Sequence, residues 1–226
     1  MTYLSKEKNR FFEGDGSRNE AGENLEEFLI KYDPLAYKNP SCTVDTAVFT
    51  FDENRAHLKI LLIRRKNHPS IGQWAIPGGF VEFDEDIEDA ARRELEEETG
   101  VAGIVPVQVK TYGNPERDPR TRIITTLFVA LVQETSIKPA AGDDARDAGL
   151  FDISLLDLGN NRYRLKLELA GKDISLTAVL KRTVTESGIT PVIRHELTES
   201  DGIGMDHAVL IADAYTYLLD KIIADN

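Results

Sequence analysis

Residues 79–101 read GFVEFDEDIEDAARRELEEETGV, and the spacing of acidic and apolar side chains here decides how the rest of the chain is read. At about 100° per residue, Ile87, Ala90, Ala91 and Leu95 line one stripe of a helix. Glu94, Glu97 and Glu98 fall in a narrow arc overlapping that stripe, so three acids are expected to lean toward the protein body. Carboxylates crowded on such a face repel one another and lose hydration, unless a divalent cation preferring hard oxygen ligands compensates them. Asp89, Arg92 and Glu96 lie on the opposite, solvated side. Both helix ends are marked as well. Asp84, Glu85 and Asp86 suit the positive end of the dipole, and Gly100 suits the left-handed position after the last turn.

Working outward, CTVDTAVFTF (42–51) and HLKILLIRR (57–65) are rich in β-branched and aliphatic residues and read as the first two core strands. NHPSIGQW (67–74) is a loop feeding IPGGF, where adjacent Gly78 and Gly79 permit close backbone approach. Beyond the helix, VPVQVKTYG (105–113) and TRIITTLFVALVQ (121–133) are again strand-like. Ahead of these elements, residues 1–23 are polar and expected to hold little order. Asn24 is placed to cap a helix with Leu25, Phe28, Leu29 and Tyr32 on one face, packing on the domain or on a second subunit. The expected division is an N-terminal extension with one helix, residues 1–40, and a main domain, residues 41–226.

The same 23-residue stretch satisfies a pattern of Gly, five residues, Glu, seven residues, then Arg-Glu-apolar-any-Glu-Glu-any-Gly-apolar. Nine fixed positions are met by Gly79, Glu85, Arg93, Glu94, Leu95, Glu97, Glu98, Gly100 and Val101. An ordinary acidic amphipathic helix does not require that spacing; it resembles the box of the Nudix hydrolases. The resemblance implies a loop–helix–loop in an α/β fold, an α/β/α sandwich with a mixed sheet, binding Mg²⁺ or Mn²⁺ and hydrolysing a diphosphate linked to another moiety. It further implies Glu97 and Glu98 as primary metal ligands, Glu94 as a further ligand or the general base, and Glu85 as an auxiliary ligand. Arg93 would hold the carboxylates in place, and Gly79 would offer a carbonyl near the metal. Some family members recruit the base from a later loop; here GDDARDAGLF (142–151) offers Asp143, Asp144 and Asp147, of which Asp144 is the candidate.

Arginines narrow the branch. NPERDPRTR (114–122) joins two strands, is bent by Pro115 and Pro119, and is expected to aim Arg117, Arg120 and Arg122 outward. Guanidinium forks suit phosphate oxygens, so these three are candidate substrate ligands, against the alternative of a solvated turn with Arg117 and Asp118 paired locally. With RRKNHPSIGQWAIPGGF, the loop resembles the Nudix branch of ADP-ribose pyrophosphatases and regulators of NAD metabolism. Trp74 and Tyr112 are candidates to stack on an adenine or nicotinamide-like ring, with core packing as the alternative. No histidine shows zinc-ligand spacing, and His207 reads as structural, with a lesser claim to approach the substrate.

Residues at about 158–203 depart from the resembled branch. RYRLKLEL and ISLTAVL alternate at period two about an AGKD turn, which reads as an inserted β-hairpin. Residues 162–196 carry seven Lys or Arg against four Asp or Glu, a basic segment in an otherwise acidic protein, suited to widening the substrate site or forming a dimer. No winged helix–turn–helix is expected after it, and the last helix bears Asp213 and Asp220, which would face phosphate repulsion on DNA.

Composition bounds the function class. With 27 basic and 39 acidic residues the formal charge is −12, which argues against broad contact with nucleic acid or anionic membrane. Phosphate substrates remain open, because bound cations invert the local field. Cys42 is the only cysteine, so no intramolecular disulfide forms. The longest apolar run, near Leu127–Val132, is too short for a membrane span. The expectation is a cytoplasmic homodimeric enzyme acting on a small nucleoside diphosphate compound; the alternative is a nucleotide-sensing module or regulator on the same fold.

Overall fold

Period-two alternation of apolar side chains builds the sheet, and two amphipathic helices cover its faces. In the computed structural model, which describes residues 4–52, 57–137, 145–169, 171–188 and 190–224, the elements are α1 (Lys6–Asn9), α2 (Leu25–Lys31), β1 (Ser41–Phe51), β2 (Leu58–Arg65), β3 (Trp74–Ala75), β4 (Gly78–Phe80), α3 (Ile87–Thr99), β5 (Val107–Tyr112), β6 (Ile123–Gln133), β7 (Ala145–Gly159), β8 (Arg162–Leu169), β9 (Ile174–Thr185), β10 (Val192–Asp201) and α4 (His207–Ala224). Two compact units result, Met1–Asn39 and Pro40–Asn226.

In the first unit, α2 begins with a capping box: Asn24 Oδ1 accepts the Glu27 N–H and Glu27 Oε2 accepts the Asn24 N–H, both at 2.9 Å. The stretch before it, expected to hold little order, contains the short helix α1, capped by Ser5.

In the second unit the strand order is β10-β9-β8-β7-β2-β1-β6-β5, with β3 beside β2 and β4 beside β1. β1 and β6 run parallel in full register and the other named pairs are antiparallel, so the sheet is mixed. Ala47 and Phe49 of β1, Ile60 and Leu62 of β2 and Leu127 and Val129 of β6 face α4 with Trp74 and Phe151. Alternate residues face α3: Val48, Leu61 and Ala130 meet Leu95, and Val44 and Phe128 meet Ala90 and Ala91. Each fully buried side chain of this size stabilises the fold by about 1.5–3 kcal/mol. α3 ends as expected at Gly100, left-handed at φ 69°, and begins among the expected acids, of which Asp86 is the N-cap.

The segment read as an inserted hairpin is larger than one. β8 and β9 do form the hairpin, but β7 and β10 flank them in a four-stranded antiparallel meander that continues the central sheet through β2. Gly159, Asn160 and Asn161, all at positive φ, make the turn into β8. The sheet curls strongly enough that both its edges reach one residue of α4. Asp213 accepts hydrogen bonds from Lys110 Nζ (2.5 Å) and Tyr112 Oη (2.6 Å) on β5, and lies 2.5 Å from His195 Nδ1 on β10. Asp213 therefore points into the protein, correcting its expected outward placement. Tyr112 is occupied there too and does not face a ligand cavity.

Candidate active site

The adjacent glycines of β4 decide how closely α3 can approach the sheet. β4 pairs with β1 so that Gly79 lies opposite Val44 and Gly78 opposite Asp45. A Cβ on Gly79 would lie 2.2 Å from the Glu94 carboxyl carbon, and one on Gly78 would lie 2.2 Å from the Val44 carbonyl oxygen. Any larger residue would evict the Glu94 carboxylate or the strand itself.

Within the space so made, Arg93 is the hub of the acids. Its Nε and Nη2 donate to Glu85 at 3.1 and 2.6 Å, its Nη1 donates to Glu94 at 2.8 Å and Glu97 at 3.2 Å, and Nη2 also donates to the Phe80 carbonyl at 3.0 Å. Glu85 is held below the usual carboxylate range, chiefly by its hydrogen bonds from Arg93. Glu94 is pushed up by burial, with Arg93 opposing. Glu98 is pushed up to about 8, first by burial and further by Glu94 and Asp45, although the Gly78 N–H donates to its Oε2 at 2.8 Å and pulls the other way. Of the three acids expected to lean inward, Glu94 and Glu98 do. Glu97 does not, its side chain being 59% exposed at the rim.

All of these acids except Glu85 line a cavity of about 680 Å³, whose other wall is built from β1, the end of β2, the β5–β6 loop and the start of α4. Asp45 lies in that wall, 7% exposed, accepting from Thr125 Oγ1 at 2.5 Å. Arg65, Lys66, Arg117 and Arg120 make the wall cationic, and His207 completes it. Burial pushes the His207 imidazole down to about 4, with Arg65 and Arg117 reinforcing and Asp206 opposing.

The arginine loop differs from expectation. Arg117 does not point outward: its side chain is 5% exposed and forks onto Asp206 at 2.9 and 3.0 Å. Asp118 pairs not with Arg117 but with Arg120, through two bonds of 3.0 and 2.9 Å. Arg122 is exposed and lies outside the cavity lining. Trp74 is 3% exposed and packs edge-on against Phe151 at 4.8 Å, so it belongs to the core and is not available to stack on a ligand. Asp143 and Asp144 lie outside the described residues, and Asp147 is paired with Lys172 at 2.9 Å. Asp45 and Arg65 were not singled out in the sequence. The signal for Asp45 was present: an acid in the middle of a β-branched core strand needs a buried partner or a ligand.

The donor set fits a hard divalent cation, being oxygen only and multiply anionic. Among the described residues no three acids or imidazoles are gathered into a ready cage. Arg93 and the Gly78 N–H occupy oxygens of these carboxylates.

A family model described as NUDIX domain matches residues 43–169. An ADP-ribose pyrophosphatase of Methanocaldococcus jannaschii is 42% identical over 120 residues, 53% of this chain and 66% of that protein. The ADPR responsive transcriptional repressor NtrR of Acinetobacter baylyi is 42% identical over 107 residues, 46% of this chain and 42% of that protein. The chain thus spans less than two thirds of either curated relative. Among solved structures, a MutT/nudix family protein from Enterococcus faecalis superposes with TM-score 0.66 at 28% identity, covering 97% of this chain and 76% of that one. A match of that extent takes in the meander that the sequence set apart as an insertion. The NUDIX domain of Shewanella oneidensis NrtR, complexed with ADP ribose, gives TM-score 0.58 at 26% identity over 87% of this chain and 99% of that one. The matched domain covers more than half of the chain and includes most of β1, the glycine pair, α3 and most of the residues that line the cavity, and on that ground the protein belongs to the Nudix family.

Proposed function

We propose that this protein hydrolyses the diphosphate of a nucleoside diphosphate linked to another moiety, foremost ADP-ribose, with Mg²⁺ or Mn²⁺ held at the α3 acids. The observation that carries this reading is the carboxylate set Glu85, Glu94 and Glu97 gathered on Arg93, beside Glu98, across a cavity from a cationic wall. Similarity to a protein named as an ADP-ribose pyrophosphatase supports the choice of substrate.

In this reading Glu97 and Glu98 are the main metal ligands, Glu94 a further ligand or the base, Glu85 an auxiliary, and Gly79 a carbonyl donor. A bound Mg²⁺ would offset charge on the diphosphate oxygens and lower the pKa of a water. Arg93 orients Glu94 and Glu85 through charge-assisted bonds and does not itself touch substrate. Arg65 lies where a guanidinium group would neutralise phosphate in the cavity, while Arg117 is committed to Asp206 and stiffens that wall. The proton of the attacking water goes to Glu94 or to Asp144. The enzyme is further proposed to work as a cytoplasmic homodimer without nucleic acid or membrane partners.

The test is a hydrolysis screen over ADP-ribose, NADH, diadenosine polyphosphates, sugar nucleotides and nucleoside triphosphates, with and without Mg²⁺ or Mn²⁺. Metal-dependent release of AMP from ADP-ribose, faster than turnover of the other compounds, is the expected result. The similarity to an ADPR responsive repressor favours a second reading, a nucleotide sensor. Tight ADP-ribose binding with no turnover under any metal would select it.

A further inference from the structure

The pleat of β4 sends successive residues to opposite faces of the sheet. Gly79 lies against α3 and the Glu94 carboxylate, and Phe80, opposite Thr43 on β1, lines the same cavity. Phe80 is 44% exposed beside the charged cleft. Its backbone is fixed by pairing with Thr43 and by the bond from Arg93 Nη2 to its carbonyl. Over the ring, 5.3 Å from its centroid, stands the Arg120 guanidinium. That guanidinium is not a free cation. Asp118, whose own side chain is 1% exposed, grips it with two bonds and accepts the Arg120 backbone N–H at 2.9 Å. Charge-compensated and held in one plane, Arg120 offers its flat face more than its charge.

We propose that Phe80, backed by Arg120, is the stacking platform for the planar heteroaromatic base of the substrate and so a specificity-determining residue. This rests on the reading that the cavity takes a nucleoside diphosphate compound. The placement suits that chemistry. Phe80 follows Gly79 directly, one Cα step of about 3.8 Å from the backbone beside Glu94, and a nucleoside phosphate separates its base from its phosphate by a single sugar. Rings of any base stack on an aromatic face, so the platform would select for the presence of a base rather than for its hydrogen-bonding edge. It would reject a sugar phosphate that lacks one.

The test uses two monophosphates that the proposed activity cannot cleave, AMP and ribose 5-phosphate, titrated by calorimetry with Mg²⁺ into the full chain and into Phe80→Ala, Phe80→Leu and Phe80→Trp. The parent is expected to bind AMP more tightly than ribose 5-phosphate. Phe80→Ala and Phe80→Leu should weaken AMP about tenfold or more and leave ribose 5-phosphate within about twofold, and Phe80→Trp should restore AMP binding. Thermal melting of each variant guards against misfolding, and leucine keeps the apolar bulk if alanine does not fold. Equal loss for both ligands, no loss for AMP, or a parent that does not prefer AMP would each overturn the proposal. ADP-ribose turnover by the parent is scored separately, so an inactive parent refutes the proposed reaction while the binding comparison still judges Phe80.

Discussion

Lowering the pH from about 7.5 to about 5 should cost this protein about 2 kcal/mol of stability through His207 alone. His207 is 4% exposed at the first position of α4, and its Nδ1 has no hydrogen-bond partner among the described residues. Burial holds its pKa near 4 against an ordinary value of 6.5, and a positive charge at a helix N-terminus is opposed by the dipole as well. Asp45 Oδ1 stands 4.0 Å from Nδ1, but burial pushes the Asp45 carboxyl up as it pushes the imidazole down. Both groups resist charging, so the approach does not count as an ion pair.

The sign follows from which state takes up the proton first. As pH falls, the unfolded chain protonates near its ordinary value while the folded chain waits until about 4, so stability is complete above about 6.5 and drains away down to about 4. At about 1.4 kcal/mol per pH unit the whole interval is worth about 3 kcal/mol, of which about 2 kcal/mol is gone by about pH 5. Urea denaturation of the parent and of His207→Gln at the two pH values isolates the term, because other carboxylates and histidines contribute to both proteins. The parent should lose about 2 kcal/mol more than the variant. Parallel losses, within about 0.5 kcal/mol, would show that His207 is either solvated or paired and would refute the reasoning.

Three further outcomes are expected. Glu97→Gln, at an exposed position that should not disturb folding, is expected to lower turnover about 10²-fold or more; steady-state kinetics matching the parent on every substrate would remove the metal-cluster assignment. Arg120→Ala should raise KM for ADP-ribose severalfold with little change in kcat, whereas Arg122→Ala should change neither, since only Arg120 lines the cavity; the two sequence candidates are thereby separated by one pair of Michaelis curves. Selection of fragments from random-sequence DNA at physiological salt, with and without ADP-ribose, should recover no motif, and a reproducible motif would promote the sensor reading.

α3 was legible because its information is local. The 3.6-residue stripe, the acids at its start and the Gly100 stop all lie within or directly beside the helix they define. Even there the wheel was too coarse for Glu97. It lies about 100° around the helix from Glu98, at the margin of the buried arc. The arginine loop failed for the opposite reason. Proline-bent loops often project their side chains, but the partner that draws Arg117 inward is Asp206, 89 residues away, and no local pattern announces a pair of that separation.

The same distinction governs the meander. Alternation and the AGKD turn made the β8–β9 hairpin readable, while its fusion to the central sheet depends on β7 pairing along β2, a contact between segments separated by the whole of α3, β5 and β6. That pairing also carries consequences for the site. The meander ends at Asp201, after which Gly202 and Gly204 bond to the backbone of Trp74 on either side, at 2.8 Å each. This stitch sets the start of α4, and with it Asp206 and His207, against the wall opposite α3. The acids came from one contiguous motif and were visible in it. The wall that faces them is assembled from four separate stretches of chain, and its chemistry becomes readable only when the meander has closed the sheet around α4.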